Sequence, residues 1–133
     1  MDLAKFVSFP VARITGDVGS DAPFLFNGRE WIDVSNFATA TLEIWGTFEA
    51  SYVQATAHYI DETPQAASVP LLVVAQSGTA GAPAQTIMNA DGIYLIPLGA
   101  RFLRISMNGT SENLDVRAVL SLHAMPIAPM ITR

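Results

Sequence analysis

The chain has 133 residues, half of them hydrophobic and only 14% charged, with a formal net charge of −5 and no cysteine. That length suits one domain with room for a real core, and the missing cysteines exclude disulfides, thiolate metal sites and cysteine nucleophiles. Nucleic acid is an unsuitable partner, because phosphate binding needs clustered cations: Lys5 is the single lysine, and of the arginines only Arg101 and Arg104 stand close together.

In chain order, the first 29 residues carry Phe6, Phe9, Phe24 and Phe26, separated by Pro10, Pro23 and glycines, with no sustained period. An apolar, extended N-terminal arm over 1–29 is expected, with at most one short strand at Val11–Thr15. The opening residues lack the basic start and long apolar core of a signal peptide, and no apolar run approaches the ~20 residues of a membrane span. A soluble protein made in the cytoplasm is the expectation.

Over residues 30–124 helical periodicity is almost missing, and period-two alternation recurs between turn residues. Glu30–Val34 is a weak strand. Thr39–Phe48 sets Leu42, Ile44 and Phe48 against Thr41, Glu43, Trp45 and Thr47. Tyr52–Ile60 and Val69–Gln76 follow, then a small-residue loop at Ser77–Pro83 and a weak strand at Thr86–Met88. Gly92–Leu98 is strong. Arg101–Met107 places Leu103, Ile105 and Met107 opposite Phe102, Arg104 and Ser106. Asn113–Ala124 is the clearest run, with Leu114, Val116, Ala118, Leu120 and Leu122 on one face. Asn27-Gly28, Asp91-Gly92 and Asn108-Gly109 are expected to supply positive-φ turn positions. The pattern predicts an all-β fold, an antiparallel β-sandwich with jelly roll the favoured form, whose core spans 30–124.

The last nine residues, Met125–Arg133, form a second apolar arm broken by Pro126 and Pro129, which bar a helix and withhold ladder hydrogen bonds. Burying its four large apolar side chains does not by itself offset the entropy of ordering the whole stretch, so the arm needs a preformed surface. Charge this sparse, against about 25% in an ordinary domain, points the same way: the surface is neutral, or covered by a neighbour as in permanent assemblies. Phe6, Phe9, Phe24 and Phe26 in one arm, with Ile127, Met130 and Ile131 in the other, are the expected interface residues.

Catalytic patterns are not found. His58 and His123 each fall inside a strand, with no Gly-x-Ser-x-Gly elbow and no metal-site spacing, so surface or interface roles are expected of them. Asp61 and Glu62 are adjacent on a strand end, where side chains diverge, and read as a solvated turn. Ser77–Pro83 has glycines but no phosphate-loop lysine, and Asn108-Gly109-Thr110 reads as a turn rather than a glycosylation site. No cofactor, metal or catalytic residue is assigned. Trp31, Trp45, Tyr52, Tyr59 and Tyr94 offer a possible sugar-stacking platform, weighed against ordinary strand packing.

Thr41–Phe48 leading into Tyr52–Ile60, and Asp91–Ile105 leading into Leu114–Ala124, together resemble the small β-sandwich virion proteins of tailed bacteriophages. Closest in size and plan are the jelly-roll cement, or decoration, proteins. Many of those relatives carry a Ser-x-Asp-Gly type turn followed by tryptophan after the second strand, where this chain has His58-Tyr59-Ile60-Asp61-Glu62-Thr63. The resemblance implies attachment to the major capsid protein and to other copies of the chain at the virion surface, without catalysis and without nucleic acid or membrane as a partner. The alternative is a carbohydrate- or receptor-binding module of a fibre or tail.

Overall fold

The alternating runs pair into two antiparallel sheets in a computed structural model that describes residues 6–16, 21–58, 69–76, 84–109 and 112–124. In chain order the strands are β1 (Phe6–Ser8), β2 (Ala12–Thr15), β3 (Ala22–Pro23), β4 (Ile32–Asp33), β5 (Thr39–Thr47), β6 (Tyr52–His58), β7 (Val69–Pro70), β8 (Val73–Ala75), β9 (Ala84–Gln85), β10 (Gly92–Pro97), β11 (Phe102–Asn108) and β12 (Asp115–His123). None of the described residues is helical.

The larger sheet has seven strands in the order β1-β12-β5-β10-β8-β9, with β2 following β1 along the free side of β12. The smaller has five, β3-β11-β6-β7, with β4 following β3 along β11. Their inner faces bury the alternating apolar residues that the sequence marked: Leu42 and Ile44 on β5, Leu103, Ile105 and Met107 on β11, and Val116, Ala118, Leu120 and Leu122 on β12. This is an all-β, antiparallel sandwich.

The stretch expected to stand apart as an N-terminal arm supplies edge strands to both sheets instead. Phe6, Val7 and Ser8 oppose His123, Leu122 and Ser121, whereas Ala12 opposes Ala118, so the pairing slips by one residue across Pro10 and Val11. Such a bulge absorbs a proline at an edge without breaking the strand pair for long. On the other sheet Ala22 and Pro23 pair with Met107 and Ser106. The chain then loops out through a two-residue turn at Asn27 (φ 55°) and Gly28 (φ 76°). Phe26 and Arg29 close that turn with reciprocal backbone bonds of 3.1 and 3.0 Å, and the chain returns to pair Ile32 with Leu103.

Val69–Gln76 is two strands rather than one, on different sheets: β7 lies beside β6, and β8 beside β10. Pro70 explains the break. The Leu71 amide bonds the Ala55 carbonyl at 2.9 Å, so in an antiparallel ladder the Pro70 nitrogen faces the open edge, where no donor is needed. Thr86–Met88 is likewise not a continuous strand: β9 ends at Gln85, and Met88 forms an isolated bridge to Val53 on β6. Gly109 has the expected positive φ of 93°. Gly92 does not; it opens β10, and the turn before it is held by the Asp91 carboxylate accepting the Gly46 amide at 2.9 Å.

Candidate interaction surface

The four N-terminal phenylalanines divide by depth. Phe24 and Phe26 are wholly buried in the sandwich core, their rings 6.3 Å apart, so they are not available to a neighbouring molecule. The correction has a simple cause: the segment pairs with β11 at Ala22–Pro23 and Ile32–Asp33, and the residues between must turn their large apolar side chains under the sheet. Phe9 is half-buried, with its ring 6.0 Å from that of Phe26, and closes the gap where the β1–β2 edge of one sheet meets the β3–β4 edge of the other. Phe6 alone stays open, 57% exposed, its ring stacked on His123 at 5.6 Å and 11°. Ile127, Met130 and Ile131 lie outside the described residues.

Other exposed apolar side chains were not singled out from the sequence. Val11 and Leu25 lie on the same side of the sandwich as Phe6, at 54% exposure each. Val69, Leu72 and Ile87 lie on the opposite side, where the chain passes from β7 to β8 and where Met88 borders β6. A missing alternation at short edge segments hides such residues, because one or two positions give no period to read.

The outer face of the smaller sheet carries the buried polar chemistry. Arg104 on β11 is only 9% exposed; its Nε donates to Glu30 Oε2 and its Nη1 to Asp21 Oδ1, each at 2.6 Å. Burial opposes the charge on Arg104, yet the hydrogen bonds and attraction of Asp21 and Glu30 together raise its pKa above the ordinary arginine value. The clamp ties the looped segment between β3 and β4 onto the sheet, and Asp21 accepts a positive φ of 67° to reach it. Phe102 lies beneath the Arg101 guanidinium at 5.1 Å and directly opposite His58, which meets Trp31 edge-on at 5.9 Å. Arg104 belongs to this scaffold, which explains why β11 is buried on both faces.

On the outer face of the larger sheet, His123 Nε2 lies 3.2 Å from the Thr41 hydroxyl, and burial lowers the pKa of the imidazole. Arg13 and Asp115 make a two-pronged pair at 2.9 Å for each prong, which raises the pKa of the guanidinium and lowers that of the carboxylate. Asp33 accepts both the Ser35 hydroxyl, at 2.7 Å, and the Ser35 amide, which lowers its pKa in turn. These are turn and edge fastenings. No three metal-ligating side chains gather among the described residues. Asp61, Glu62 and the Ser77–Pro83 loop lie outside them.

The aromatic residues considered for sugar stacking do not share a face. Trp45 points outward from β5, and Tyr94 points into the core with its hydroxyl donating to the Ala90 carbonyl at 2.9 Å. Trp31 and Tyr52 lie toward opposite ends of the smaller sheet. Tyr59 lies outside the described residues.

No family model matches the chain, and no curated protein matches its sequence. Solved structures do share the fold. The SPBc2 prophage-derived protein YomS superposes with a TM-score of 0.63 at 13% identity, over 92% of this chain and 96% of YomS. The PBSX exported protein XepA superposes with a TM-score of 0.68 at 14% identity, over 92% of this chain and 39% of XepA. The chain therefore corresponds to nearly all of YomS and well under half of XepA.

Proposed function

We propose that this chain is a structural protein of a tailed-bacteriophage virion, a cement or decoration protein that binds the major capsid protein and copies of itself and carries out no catalysis. The observation that carries the reading is the near end-to-end superposition on YomS, a prophage-derived protein of the same sandwich plan. XepA, named for another phage-derived element, supports the same origin.

The strand order also supports reading the sandwich as a jelly roll. With the edge pairs β1/β2 and β3/β4 each counted as one strand, the order β1/β2, β12, β5, β10 forms one layer, extended beyond β10 by β8 and β9, and β3/β4, β11, β6, β7 forms the other. The chain crosses between layers from β2 to β3, β4 to β5, β5 to β6, β7 to β8, β10 to β11 and β11 to β12, which supports the interleaving of two Greek keys. A rigid sandwich of this kind presents flat outer faces and short, proline-broken edges. That suits a part held in place by many surface contacts better than one that encloses a substrate.

Purified particles of the phage that encodes the chain provide the test. Mass spectrometry should find the protein in them, and immunogold labelling should place it over the capsid shell. Label confined to the tail would overturn the cement role while keeping a virion role. Protein recovered only outside particles would overturn both.

A further inference from the structure

We propose that residues 125–133 fold back across the outer face of the larger sheet of their own chain and cover it around Leu95. This stretch then closes the sandwich rather than reaching for a neighbour. The contact belongs to the isolated chain and does not depend on a place in the virion.

A side chain buried on the outer side of the sheet marks the place. Tyr94 and Ile96 point into the core, so Leu95 between them points outward from β10. It is nevertheless only 3% exposed. Across the sheet Leu95 is flanked by Thr41 on β5 and Val74 on β8, and along its own strand by Ile93 and Pro97, both exposed. Side chains on a sheet stand beside one another rather than over one another, so these neighbours alone would leave the tip of a leucine in water. Thr39 faces outward on β5 with Thr41 and is likewise 3% exposed. The cover therefore lies across the sheet at the end where β12 finishes beside Thr39 and β10 reaches Pro97.

Position, length and composition select the occupant among the longer stretches outside the described residues. His123 pairs with Thr39, so a chain leaving β12 there is one strand from Thr39 and two from Leu95. Two strand spacings are about 10 Å, which three or four extended residues can cross. Residues 125–133 bring Met125, Ile127, Met130 and Ile131, with Arg133 as their single ionisable side chain. Residues 1–5 precede β1, which lies beyond β12, and hold two charges in five positions. Residues 59–68 join two strands of the smaller sheet and hold Asp61 and Glu62. Residues 77–83 follow β8 at the far end of the sheet, where the Gln76 amide bonds the Ile93 carbonyl, and hold no side chain larger than threonine or proline.

The receiving face suits that composition. Around Leu95 it offers Thr41, Val74 and Ile93, and the charged side chain that borders the patch is the exposed Glu43, opposite Ile93 on β5. Arg133, nine residues beyond Ala124, has the length of chain to reach it. Pro126 and Pro129 bar a helix and reduce the entropy lost on docking, and a segment laid over a sheet face needs no ladder bonds from them. A tether this short also keeps the stretch near its own sheet at an effective concentration of about a millimolar, which favours that face over a neighbour's.

Because the chain has no cysteine, introduced thiols report on this face cleanly. Leu95→Cys should react with a thiol reagent at least tenfold faster when Ile127, Met130 and Ile131 are all changed to Asp, with the circular dichroism of the sandwich unchanged. Equal rates in the two proteins overturn the proposal. Cysteine pairs give a second test that needs no loosened variant. Leu95→Cys combined in turn with Ile127→Cys, Met130→Cys and Ile131→Cys should close at least one disulfide within a single chain on mild oxidation, read by mass as a monomer without free thiol. Dimers alone, growing with concentration, would move the stretch onto a neighbour, and no disulfide at all would remove it from the face. Either result overturns docking on its own sheet. A protein absent from phage particles would sink the virion role and leave this contact standing.

Discussion

Gly46 shows how tightly single positions constrain this sandwich. It sits within β5 opposite Val116 on β12, at φ +136°, and any Cβ there would run into the Asp115 carbonyl oxygen on the neighbouring strand. Its amide also takes the Asp91 carboxylate that holds the turn into β10. Gly16 shares the positive φ, at +77°, but has open space around it. The two positions separate backbone strain from steric collision. Gly46→Ala should destabilise the fold by about 2–4 kcal/mol, strain and overpacking together. Gly16→Ala should cost only about 1–2 kcal/mol, the strain alone. Urea midpoints of the two variants check the ordering; equal losses would show that the strand contact at Asp115 yields easily. Nothing in the amino-acid pattern separates these two glycines, because the difference lies in which backbone passes nearby.

At the scale of elements, the long strands were legible and the short ones were not. β5, β11 and β12 run for seven to nine residues, enough for period two to assert itself. β1 and β3 have three and two residues, and their place is set by what β12 and β11 leave unpaired rather than by any pattern of their own. For the same reason Phe24 and Phe26 looked like arm residues: their burial depends on β11, some eighty positions further along the chain. The junction of β1 with β12 makes a pH prediction. Phe6 stacks on His123, whose pKa is lowered by burial, so the folded chain resists a proton that the unfolded chain accepts near its ordinary pKa of about 6.5. Stability is full above that value and declines as pH falls through the lowered folded value. The urea midpoint should drop on acidification from neutral pH toward pH 5, and His123→Gln should flatten the drop. Asp33 and Asp115, both lowered, add their losses only in more acid solution, as pH falls below the ordinary carboxylate range. A wild-type profile flat down to pH 5 would show that the stack on Phe6 does not depend on a neutral imidazole.

For the molecule as a whole, sparse charge and exposed apolar side chains set the kind of association to expect. The charge-bearing pairs at the described surface, Arg13 with Asp115 and Arg104 with Asp21 and Glu30, are satisfied within the chain. They have little to offer a partner: Arg104 is buried under its two carboxylates, and the Arg13–Asp115 pair lies in solvent, where an ion pair adds little. The proposed association with other copies would then be driven by removal of exposed apolar surface from water, which salt does not screen. Raising sodium chloride from dilute to several times physiological strength should leave the association constant within about threefold, whereas contacts made through ion pairs would weaken far more. Sulfate should strengthen association and cooling should weaken it, because burial of apolar surface near room temperature is driven by entropy. Sedimentation equilibrium across salt and temperature measures both. A steep loss with sodium chloride would show that the contact is made through charged side chains instead.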